Sequence, residues 1–87
     1  MTEREIMAWI ENHIFMPHRR EFLRNDNTVT HYRDTYNNGD VYEWKSEIKS
    51  LSREHCDTWI NGKLVDSADY VWKNFGWHRV RPAGLTA

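Results

Sequence analysis

The chain holds one cysteine, two prolines and four glycines among 87 residues. A single thiol excludes an intrachain disulfide framework and any zinc site built from several thiolates. Four glycines, each placed at a turn, a cap or the tail, leave none for a phosphate-cradling loop. Long apolar runs are missing as well. Glu3, Arg4, Glu5, Glu11 and His13 interrupt the N-terminal stretch, so neither a secretory signal nor a membrane span of about 20 apolar residues is expected. The cytoplasm is the expected compartment, with no membrane partner. An excess of charge is the last absence. Twelve basic against 13 acidic groups give a net charge of -1, which excludes a grossly basic nucleic-acid binder and an acidic DNA mimic.

What the chain does have is aromatics: five Trp, four Tyr and three Phe, 14% of its residues, in a sequence of mean hydropathy -0.89. A disordered chain is not composed this way. The length fits one domain, expected over residues 1–81, with a frayed tail at 82–87.

Thr2 and Glu5 have capping-box spacing, and Ile6, Ile10 and Ile14 recur every fourth residue beside Trp9 and His13. This predicts a helix from Glu3 to Phe15, stopped by Pro17. Residues 18–25 fit either a second short helix or a short strand, and the strand is preferred. Thr28 to Tyr36 and Asp40 to Ile48 flank Asn37-Asn38-Gly39 and read as a hairpin. Charge selects its register. A two-residue loop would set Asp34 against Glu43. A three-residue loop with Gly39 in the left-handed position pairs Arg33 with Glu43, Tyr32 with Trp44 and Thr30 with Ser46. Asn61-Gly62 marks a shorter hairpin between Glu54–Ile60 and Lys63–Val65.

Asp66 or Ser67 then starts a second helix, because Ala68, Val71, Trp72 and Phe75 follow the i, i+3, i+4, i+7 template and Gly76 stands at a C-cap position. Trp77 to Arg81 reads as a last strand. The expected fold is α+β, in the order α-β-β-β-β-β-α-β: an antiparallel sheet of three to five strands with an N-terminal and a C-terminal helix on one face. Its expected core is Ile6, Ile10, Ile14, Tyr32, Tyr42, Trp44, Ile48, Val71, Trp72 and Phe75.

Such a core leaves aromatics over. Trp59, Tyr70 and Trp77, with Arg79 and Arg81, are expected on the outside, and these residue types dominate protein-binding surfaces. Metal binding is not expected. His55 and Cys56 are adjacent and would point to opposite faces of a strand, while Pro17 separates His13 from His18. No cofactor and no catalytic residue is assigned. The leading expectation is a small protein-binding module that acts by occupying a partner's surface. In size and composition alone, the chain is similar to inhibitors encoded by bacteriophages and mobile elements. The alternative is a nucleic-acid-binding accessory protein using Arg19, Arg20, Arg24 and Arg81, with Trp77 and Arg79 for stacking and charge. A small homo-oligomeric enzyme is the third reading. Homodimerisation through the Trp patch is compatible with the first.

Overall fold

The N-terminal helix forms as its spacing predicts. The Glu5 amide donates to Thr2 Oγ1 (3.1 Å), and the Thr2 amide donates back to the Glu5 carboxylate (3.0 Å). That satisfies two of the donors every helix start leaves open, and the Thr2 contacts hold the Glu5 carboxyl below its ordinary pKa. In the computed structural model, which describes residues 1–80, this helix α1 spans Glu3–His13. Six strands follow: β1 (His18–Asn25), β2 (Val29–Tyr36), β3 (Val41–Ser50), β4 (Arg53–Ile60), β5 (Lys63–Lys73) and β6 (Gly76–Arg79). Each pairs antiparallel with the next in the chain, so the sheet is a six-stranded meander in sequence order. The expected tail and Arg81 lie outside the described residues. None of the described helices is long and apolar enough to cross a membrane.

The main hairpin has the register that its charges select: Arg33 faces Glu43, Tyr32 faces Trp44 and Thr30 faces Ser46. Gly39 holds φ +92, the left-handed backbone its turn requires. Residues 18–25 are a strand, as preferred.

The second helix does not exist. Residues 66–75 run through β5 into a turn, and the sheet has six strands rather than three to five. The segment carries two periodicities at once. Ala68, Val71, Trp72 and Phe75 fit a helical stripe, but Asp66, Ala68, Tyr70 and Trp72 also alternate with Ser67, Asp69 and Val71. Pairing with β4 decides between them, from Ile60 opposite Lys63 to Arg53 opposite Val71. Gly76 opens β6 instead of capping a helix. Trp72 and Phe75, expected in the core, are therefore exposed, and so are two other expected core residues, Ile14 after α1 and Ile48 on β3.

Register and alternation sort the sheet into two faces. The reverse face carries charge: Arg33, Glu43, Lys45 and Glu47 lie there with His31, His55 and Asp57. The other face receives α1. Ile6 of the helix is buried there with Cys56, Ile60 and Ala68 of the sheet, and with the polar His13, Asp34, Ser46 and Thr58. The helix is tied at both ends. Arg79 Nε donates to Glu3 (2.8 Å) at its start. At its end, His13 stacks on Trp9, donates Nδ1–H to the Trp9 carbonyl (2.6 Å), and meets Asp40 through Nε2 (2.7 Å). The His13 contact, with amide donors from Asn38 and Asn61, holds the Asp40 carboxyl below its ordinary pKa.

Candidate functional site

With its ends pinned at β6 and at the β2–β3 turn, α1 crosses the strands and covers only a band of them. A helix is about 10 Å wide, whereas an eight-residue strand runs about 27 Å. The uncovered part of this face holds two features: a groove beside the helix and an apolar corner beyond it.

The groove consists of two adjoining cavities of about 370 and 210 Å³ that share Ile10 and Tyr42. Met7, Trp44 and Tyr70 line the first, which ends at Arg79 and Asp66. Ile14 and Tyr32 line the second, which ends at Arg20 and Asp34. Burial raises the pKa of the Tyr42 and Tyr32 phenols, so both stay neutral. The charges at either end are already paired. Arg20 donates twice to Asp34 (2.8 and 3.0 Å) with its guanidinium 3.9 Å over the Tyr32 ring. Arg79 donates twice to Asp66 (3.0 and 2.8 Å), which lowers the Asp66 pKa.

The corner is formed by two neighbouring hairpin tips. The Trp72 amide donates to the Ser52 carbonyl (2.7 Å), which sets the β3–β4 tip beside the β5–β6 tip. Leu51 and Phe75, one on each tip, are fully exposed. Behind the second tip, on β5 and β6, Trp72 and Trp77 meet edge to face at 5.4 Å, both exposed. Asn74 and Phe75 hold φ +51 and +61. Left-handed backbone is costly for a side chain with a Cβ, so Phe75 is displayed at the expense of strain. Lys49, Arg53 and Lys73 surround the tips, and residues 49–53 and 71–78 include no carboxylate.

The structure divides the expected binding residues. Tyr70, Trp77 and Arg79 share the helix side, since Arg79 pairs with Tyr70 and Trp77 with Trp72. Trp59 is on the reverse face opposite Glu43, half-buried, with its ring 5.9 Å from that of His31. Arg79 is a clamp on α1 and β5 rather than a free cation. Arg81 lies outside the described residues. Reading residues 66–75 as a helix placed Trp72 and Phe75 in the core and so hid half of the corner. The alternation of Ala68, Tyr70 and Trp72 with Ser67 and Asp69 was the signal for it.

The expected basic cluster is dispersed. Arg19 and Arg20 are neighbours on one strand and point to opposite faces. Arg20 is spent on Asp34, and Arg24 on Asp26 (2.6 Å), whose carboxyl is held down to about 2 by Arg24 and the turn amides. Only Arg19 of these has no ion-pair partner among the described residues.

One polar cluster escaped the sequence reading because alternation on two strands assembles it. On the reverse face His55 donates Nδ1–H to Asp69 (2.7 Å), while its Nε2 faces Asp57 and Ser67 Oγ (both 3.0 Å). A hydroxyl, an imidazole and a carboxylate are the parts of a nucleophilic triad. Here, however, Ser67 donates to Asp57 (2.6 Å). Asp69 first, and Asp57 after it, raise the His55 pKa, which favours the charged ring. Glu47 stands across from it on β3. The cluster clamps β4 to β5. Because the folded-state pKa is raised, its stabilising effect is complete below the ordinary His value of about 6.5 and fades as pH rises through the higher folded value. Urea titrations of wild type and His55→Gln are expected to differ most near pH 5.5 and to converge in alkali. Cys56 offers no nucleophile either, since burial and the nearby Glu54 push its thiol up to about 12. No metal-holding group of three His, Cys, Asp or Glu occurs among the described residues.

Comparison with protein-family models, with curated proteins and with solved structures finds no match.

Proposed function

We propose that this protein is a small protein-binding module that works by steric occupation, seating the Leu51–Trp72–Phe75–Trp77 corner in a recess of a partner protein and blocking that recess. The observation that carries this reading is the display of Phe75: fully exposed, on a left-handed backbone, beside an equally exposed Leu51. Strained residues of this kind cluster at functional sites, and Trp is among the residue types enriched where interfaces concentrate their energy. Arg53 and Lys73 beside the tips favour a recess rimmed with carboxylates, whereas Lys49 is already paired with Glu47 (3.0 Å). An inhibitor of the kind carried by bacteriophages would work by the same means. The nucleic-acid reading has less support, because Arg20, Arg24 and Arg79 are all engaged by carboxylates.

The test is capture from native lysate by wild type, Trp77→Ala and Trp59→Ala, with the captured protein identified by mass spectrometry. Trp77→Ala is expected to lose it, weakening binding by about 2 kcal/mol. Trp59→Ala, altered on the reverse face, is expected to keep it. Retention of DNA or RNA in a low-salt mobility shift, with no protein captured, would overturn the reading.

A further inference from the structure

We infer that Asn61 is a site of spontaneous covalent modification: its side-chain amide is lost to an imide closed by the Gly62 nitrogen, which loosens the Asp40 junction at the end of α1. That junction is at the opposite end of β3 from the hairpin corner, so the inference does not depend on what the corner binds.

The chemistry starts in the sequence. Asn precedes Gly only at Asn38-Gly39 and Asn61-Gly62. Glycine after asparagine lets the backbone nitrogen reach the side-chain carbon, because no Cβ crowds the approach. The glycine nitrogen bonds to Asn Cγ, and the bond from Cγ to the side-chain nitrogen breaks. That nitrogen takes the proton of the attacking amide and leaves as ammonia. Water from the solvent then opens the imide at either carbonyl, leaving aspartate or isoaspartate.

The structure distinguishes the two positions. Both are exposed hairpin turns. The Gly39 amide donates to the Tyr36 carbonyl (3.0 Å), so attack there must first break a backbone bond. No such bond ties the Gly62 amide among the described residues. The space beside Gly62 is open as well, since a Cβ there would meet nothing within 4 Å. Asn61 Oδ1 accepts from the Val41 amide (2.8 Å), a donor placed where negative charge builds as nitrogen adds. Asn38 Oδ1 has the same help from the Asp40 amide (2.9 Å), so the glycine amide makes the difference.

The product matters because of what Asn61 holds. The Asp40 carboxylate meets His13 Nε2 (2.7 Å) and accepts from Asn38 Nδ2 (3.0 Å) and Asn61 Nδ2 (3.2 Å). It thereby joins the end of α1 to the β2–β3 and β4–β5 turns. Aspartate at position 61 exchanges a donor for an oxygen that cannot donate, and sets a second negative charge beside Asp40. Isoaspartate also reroutes the main chain through Cγ, in a turn where residue 61 holds φ +52.

Wild-type protein kept in mildly alkaline buffer, folded or in urea, tests the inference by peptide mass spectrometry and enzymatic methylation of isoaspartate. In the folded protein Asn61 is expected to convert severalfold faster than Asn38. In urea the two are expected to convert at similar rates, which assigns the preference to the fold. Hydrogen exchange at the α1 amides is expected to be severalfold faster in aged protein and in Asn61→Asp than in fresh wild type. Aged wild type carries this measurement if Asn61→Asp fails to fold. Conversion at Asn61 no faster than at Asn38 in the folded protein, or unchanged exchange in chains that carry the product, overturns the inference.

Discussion

Replacing Phe75 with glycine is expected to make the domain more stable and its partner binding weaker. The two effects have different origins. A residue with a Cβ pays about 1–2 kcal/mol for left-handed backbone, and φ +61 at Phe75 incurs this cost at a hairpin tip. Glycine removes it and gives back part through the greater freedom of the unfolded chain. The net gain is about 1 kcal/mol, or roughly 5 °C in a domain of this size. Phe75 is fully exposed, so no packing is lost against that gain. Binding should move the other way. Removal of an anchoring aromatic typically costs about 2 kcal/mol or more, roughly thirtyfold in affinity. Differential scanning calorimetry and titration of the captured partner measure the two halves. A residue kept only for folding would show the reverse: stability lost and binding unchanged.

The second large effect is expected at Arg79. Its guanidinium makes two bonds to Asp66 and one to Glu3, joining β6, β5 and the start of α1. Asp66 is mostly buried, so Arg79→Ala leaves a carboxylate short of water and of its partner. Hydrogen bonds to charged groups are worth about 1.5–3 kcal/mol, and we expect a loss of about 2 kcal/mol in urea unfolding. Arg19→Ala, with no ion pair among the described residues to lose, should leave the midpoint nearly unchanged. A normal midpoint for Arg79→Ala with lost partner binding would return Arg79 to the binding surface.

These expectations also show where the sequence was informative. The hairpin of β2 and β3 was legible to the residue because all the deciding information is local: a turn glycine, alternating aromatics, and one charge pair that works in a single register. The capping box at Thr2 and Glu5 was legible for the same reason. Residues 66–75 were not, because their apolar pattern satisfies two periods and the choice is made by β4, whose free edge needs a partner. The facing of single residues was harder still. A shift in register between Thr58 and Trp59 lets β5 change its pairing parity there, and one such residue reverses which side chains share a face. The corner inherits both difficulties. It sets the tip that carries Leu51 beside the tip that carries Phe75, and neither segment alone shows that the two tips are neighbours.

The order of the strands has a consequence for how the chain folds during synthesis. Each strand's partner is the next one made, so the sheet can grow hairpin by hairpin with short loop closures, which favours fast folding. The helix is the exception. It is made before any of the six strands, yet its N-terminal anchor, Arg79, emerges only with β6. Until β6 is in place, α1 and its apolar stripe at Ile6 and Ile10 have only half a landing site. The slowest step is then expected to be the docking of α1, and until it docks that stripe is open to chaperones and to premature association.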